Sequence, residues 1–109
     1  MSKFMLKASY NSDGVRGLIK EGGSKRRAVV QKMVEGMGGK LEAFYYAWGA
    51  DDAFIIADLP DEKAGIALSL AVNASGAVRL TTIPLITPEE IDAAAKKTVK
   101  YKAPGAGAG

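Results

Sequence analysis

The sequence predicts an α+β domain in which one antiparallel sheet carries its helices on a single side. Three observations point there. Short runs with apolar residues at every second position alternate with longer runs at the helical period. Clusters of Gly, Asn and Asp separate the runs where turns are needed. Hydrophobic residues at 48% and charged residues at 25% over 109 positions match one domain long enough to bury a core of its own.

Lys3 to Tyr10 reads as the first strand, with Phe4, Leu6, Ala8 and Tyr10 on one face and Lys3, Met5, Lys7 and Ser9 on the other. Asn11-Ser12-Asp13-Gly14 has turn chemistry, and Val15 to Glu21 forms a short helical arm that Gly22-Gly23 breaks. Ser24 then reads as the N-cap of a longer helix to about Met37, with Val29, Val30, Met33, Val34 and Met37 on its apolar side. Gly36, Gly38 and Gly39 end it.

The aromatic-rich stretch Lys40 to Trp48 and the β run Ala53 to Asp58 flank the turn Gly49-Ala50-Asp51-Asp52, which makes a hairpin. Asp61 reads as the N-cap of a helix whose stretch Ala64 to Val72 is apolar almost all round and rich in small residues, suited to close packing on a sheet. Asn73-Ala74-Ser75-Gly76 closes it, and Val78 to Ile83 makes the fourth strand, before Pro84. Thr87 as cap, Pro88 at the first helical position and Glu90 completing a capping box start a last helix that reaches about Thr98. The order β-α-β-β-α-β-α is the split βαβ, ferredoxin-like plan with an added C-terminal helix. One domain is expected over residues 1–102, followed by a flexible Gly/Ala tail over 103–109.

The absences narrow the chemistry. With no Cys and no His, the chain has no thiol nucleophile, disulfide, imidazole base, Cys/His zinc site or Ser-His-Asp triad. No metal site and no cofactor are predicted. A formal net charge of +3 is modest, and no RRM-type RNP pattern accompanies the basic helix, so nucleic acid is not an expected partner. The N-terminus alternates charged and apolar residues, and no apolar stretch approaches the roughly 20 residues of a membrane span. The expected location is cytoplasmic, with no membrane partner.

Strand parity in the hairpin separates Leu41, Ala43, Tyr45 and Ala47 from Glu42, Phe44, Tyr46 and Trp48. The smaller set suits helix packing. On that reading Phe44, Tyr46, Trp48, Phe54 and Ile56 face away from the helices, although a slip of one residue inverts the assignment. An aromatic face of that size is costly in water, so it predicts a covering subunit (a dimer first) or a ligand pocket, with the last helix and tail folded over it as the plainer alternative. A second candidate is Gly22-Gly23-Ser24-Lys25-Arg26-Arg27, where backbone N–H groups and three cations meet at a helix start and could hold a small anion. It lacks the spacing of a Walker A loop, and a capped helix with a solvated basic turn fits the same residues. Asp51-Asp52 fits a hydrated turn, with an acid/base role or help in holding a hard cation as the alternative.

Several segments together resemble the GYD domain family of small bacterial and archaeal proteins: residues 13–27, Gly38 to Tyr45, Ala53 to Pro60, Ala71 to Gly76 and Leu85 to Glu90. The likeness spans about residues 4 to 104. The motif that names the family reads here Gly49-Ala50-Asp51-Asp52, with Asp51 where Tyr would stand. The resemblance implies a ferredoxin-like fold of the dimeric α/β-barrel type and brings no activity with it. Two functional readings remain open. One is a homo-oligomeric module binding a small anionic metabolite. The other is a cofactor-free enzyme, of oxygenase or isomerase type, acting on a small aromatic substrate in a pocket on the open sheet face, with Tyr10, Tyr46 or Asp52 as the acid/base.

Overall fold

The computed structural model describes residues 1–105. Four strands and four helices follow the order β1 (Ser2–Tyr10), α1 (Ser12–Glu21), α2 (Gly23–Gly36), β2 (Lys40–Tyr46), β3 (Ala53–Leu59), α3 (Glu62–Ala74), β4 (Val78–Leu85) and α4 (Pro88–Ala95). The strands form one sheet in the order β2-β3-β1-β4, and β1 runs antiparallel to both β3 and β4. This is the expected α+β, ferredoxin-like arrangement with an added C-terminal helix. Two helices occupy the first crossover, the short arm before Gly22 and the longer helix after it. The expected tail begins at Ala103, and its residues 106–109 lie outside the described residues.

Alternation along the strands builds the core. Phe4, Leu6 and Ala8 of β1 and Ala53, Ile55, Ala57 and Leu59 of β3 are buried on one side of the sheet. Val30 and Val34 of α2 and Leu68 of α3 close over them in the same cluster. Gly65 lets α3 approach β1 closely, since a Cβ there would stand 2.8 Å from the Phe4 ring. Burial of this kind stabilises by about 25 cal/mol per Å² of apolar surface.

Local signals hold where local chemistry decides. The Asp61 carboxylate accepts from the Ala64 N–H at 2.9 Å, and Thr87 and Glu90 form the capping box with Pro88 in the first turn. Several boundaries differ from expectation, among them the end of β2, which stops at Tyr46 instead of Trp48. Helix α1 starts at Ser12, because the Asn11 side chain caps it by accepting from the Gly14 N–H at 2.8 Å. Turn chemistry and cap chemistry use the same residues. Helix α2 starts at Gly23, so its N-cap is Gly22 (φ 87°) and Ser24 lies inside the first turn. Strand β4 continues through Pro84, which an edge strand tolerates because one side of its backbone has no partner. Helix α4 ends at Ala95 instead of Thr98.

The largest departure lies in β2. Leu41 pairs with Ala57, but the register then shifts, and Ala43 pairs with Ile56 and Phe44 with Ile55. Glu42 is therefore the extra residue of a β-bulge, and the bulge exchanges the two faces of β2 beyond it. Phe44 packs against the core, and Tyr46 pairs with the buried Ala53 on the helix side. Their rings meet edge-on at 5.0 Å. Trp48 lies beyond the strand and is 98% exposed. Of the five residues expected on the open face, Phe54 and Ile56 are there. Ala43 and Tyr45 take the places assigned to Phe44 and Tyr46.

Candidate functional site

On the helix side a cleft runs between α2 and α3, floored by Leu6 and Ala8 of β1 and Ile55 of β3. Val29 and Met33 of α2 and Leu68 and Val72 of α3 make its walls. The cleft is partly open to solvent and has a volume of about 60 Å³. By the space one water needs, that admits about four to six waters, or a ligand fragment with a similar number of non-hydrogen atoms. Polar groups enter the lining from Tyr10, the last residue of β1, and Arg26, in the first turn of α2.

The helical period explains why Arg26 reaches this place. It lies four residues before the buried Val30, on the same side of α2, whereas Lys25 and Arg27 are exposed. Of the six residues expected to hold an anion, Arg26 is thus the one whose side chain lines the cleft. Gly22 and Gly23 set the turn, and Ser24 is exposed. No side chain caps this helix start and no acidic residue occupies its first turn. Arg26 therefore stands at the positive end of the helix dipole with no acidic residue in its own first turn, a placement that a bound negative charge would favour, although Asp13 and Glu21 of α1 line a neighbouring pocket with it.

Tyr46 joins the group from β2. Its hydroxyl donates to the Gly23 carbonyl at 3.0 Å, holding its ring against the start of α2. Burial pushes the Tyr10 phenol above its ordinary value of 10.0, and the Arg26 guanidinium beside it offsets only part of that rise. The Tyr46 phenol is raised as well, first by burial and then by Tyr10 next to it. Both tyrosines are therefore protonated at neutral pH. The Tyr10 hydroxyl can donate a hydrogen bond to an anion, the Tyr46 hydroxyl already donates to Gly23, and neither is suited to act as a base.

Asp52 lies nearby in a different capacity. Its carboxylate accepts from the Tyr10 backbone N–H at 2.7 Å, and its own N–H donates to the Ala8 carbonyl at 2.8 Å. Asp52 thus fastens the end of β1 to the hairpin. Asp51 turns to the other side of the sheet, where it accepts from the Ser9 hydroxyl at 3.2 Å and stands 3.6 Å from the Lys7 ammonium.

The acid/base candidates were expected beside a pocket on the open face. Instead, Tyr10 and Tyr46 lie on the helix-covered side, because the alternation of β1 and the bulge in β2 turn them there. Sequence reasoning named Tyr10, Tyr46 and Arg26 separately and missed that the fold gathers them at the start of α2, where Tyr10 and Arg26 line the cleft. Three segments distant in sequence must fold before the group exists, and the one local signal was the i, i+4 spacing of Arg26 and Val30.

The GYD domain family matches the chain over residues 4–95, so the chain belongs to that family. No curated protein and no solved structure matches it.

Proposed function

We propose that this GYD domain protein is a small-molecule-binding module whose ligand is a short amphipathic organic anion. Its apolar part occupies the cleft between α2 and α3, and its carboxylate meets Arg26 and the Tyr10 hydroxyl. One observation carries the reading: an apolar cleft ends in a half-buried cation and a protonated phenol, at a helix start with no capping side chain. Ligand sites commonly pair an apolar lining with a few convergent polar groups.

Titration calorimetry with the sodium salts of linear carboxylates from acetate to hexanoate tests this, with butylamine as the cationic control. Affinity should rise with chain length until the cavity is full, and butylamine should not bind. Arg26→Gln should weaken binding at least about tenfold, since a charge-assisted hydrogen bond contributes about 1.5–3 kcal/mol. Arg27→Gln should leave it unchanged. Equal losses in the two variants, or no carboxylate binding at millimolar concentration, would overturn the reading.

In the same reading a second copy of the chain covers the open sheet face. Met5, Phe54, Ile56 and Ile83 form an apolar strip there, next to the exposed Tyr45. Both lysines of β1 on that face already have acidic partners: Lys3 stands 2.7 Å from Glu42 and 3.2 Å from Asp58, and Lys7 stands 3.6 Å from Asp51. Paired charges are less costly to bury than single ones, which suits an interface.

A further inference from the structure

The C-terminal arm finds little to pack against on its own body. Strand β4 ends at Leu85, and α4 makes no extended contact with any other element among the described residues. The molecule measures 64 × 30 × 22 Å. Its radius of gyration is 18.0 Å, where a compact chain of this length has about 13 Å. Yet the arm is not composed like a solvated linker. Ile86, Ile91, Val99 and Tyr101 are all at least half exposed, and Thr87 and Glu90 set the start of α4 through the capping box.

Its charges are also sorted. Glu89, Glu90 and Asp92 fall in the first half, and Lys96, Lys97, Lys100 and Lys102 in the second. None of them takes part in an ion pair among the described residues. A segment that is acidic at one end and basic at the other, with apolar residues in both halves, is complementary to itself about a two-fold axis. We propose that this arm, residues 86–102, binds the same arm of a second copy in antiparallel orientation, acidic half against basic half. The contact is separate from the open sheet face and from the cleft, so it stands or falls without them.

Glu89→Lys with Asp92→Lys, or Lys97→Glu with Lys100→Glu, placed in a full-length Ile56→Lys parent whose open face is charged, test the pairing by sedimentation velocity over a dilution series. Each variant alone should associate at least about tenfold more weakly than the parent, because like charges then face one another. Mixing the two variants in equal amounts should return the affinity to within about threefold of the parent. If a reversed variant loses helical signal, Val99→Ser with Tyr101→Ser, which lies beyond α4, should weaken association instead. A parent chain that stays monomeric at about 100 µM, association that neither reversal moves, or a mixture no tighter than its components would overturn the proposal.

Discussion

The two faces of the sheet are made from the same strands and behave as different materials. On the covered face Phe4, Leu6, Ala8, Ile55, Ala57 and Leu59 are buried within one chain. Between them in sequence, Lys3, Met5, Lys7, Phe54, Ile56 and Asp58 point the other way and keep part of their surface in water. The covered face therefore makes the monomer fold, and it also holds the cleft with Tyr10 and Arg26. The open face adds little to the fold of one chain and pairs both lysines of β1 with carboxylates. A two-residue period is enough to divide stability from association along a single strand.

The largest effect should come from emptying the covered face. Leu6→Ala should cost about 3 kcal/mol, read as a lower urea midpoint at an unchanged slope. Ile56→Lys, on the open face, should change monomer stability by about 0.5 kcal/mol or less while reducing self-association seen by native mass spectrometry. Similar stability losses in the two variants would erase the distinction between the faces.

Alkaline pH should produce a smaller effect that reaches both faces. The Tyr10 and Tyr46 phenols are raised above 10.0, chiefly by burial, and the Lys3 ammonium is raised above 10.5, chiefly by its hydrogen bond to Glu42. In each case the folded state holds the proton more tightly than the unfolded chain does. The stability they contribute is therefore complete below about pH 10 and is lost as pH rises through the folded values. Urea melts from pH 9 to 11.5 should show that decline, and Tyr10→Phe should make it shallower. A Tyr10→Phe profile superimposable on the parent would place the alkaline loss elsewhere.

The smallest effect should follow deletion of Glu42. Removing the extra residue of the bulge leaves Leu41 and Phe44 on the covered face and Ala43 on the open one. The fold should survive, with loss of little more than the exposed pair to Lys3, about 0–1 kcal/mol. Unfolding of the deletion variant by circular dichroism would show that the bulge itself shapes the sheet.

Much of this arrangement was legible because it is local. Asp61, Thr87 and Glu90 announce their helices through side chains that bond within one turn, and Pro88 through its fixed backbone angle. The alternation in β1 and β3 also predicts their buried faces directly. The parity of β2 was not legible, since an ordinary Glu occupies the bulge and the register is decided by pairing with β3. Ser24 looked like a cap because the choice between it and Gly22 depends on a backbone angle that the residue types do not specify. The anion site was legible in part: three adjacent cations were visible in the sequence, but packing of α2 selected Arg26 from among them.

Gly22 is both the C-cap of α1 and the N-cap of α2, with its backbone at φ 87°. The two helices meet at this residue like rods at a fixed elbow. Arg26 follows one turn later, its N–H bonded to the Gly22 carbonyl at 3.2 Å. The aim of the cation into the cleft is thus set by a torsion that residues with a side chain rarely adopt. Recognition here depends on a residue that has no side chain to offer a ligand, so exchanging residues along the cleft wall could tune which ligand fits while leaving the elbow to keep the charge in place.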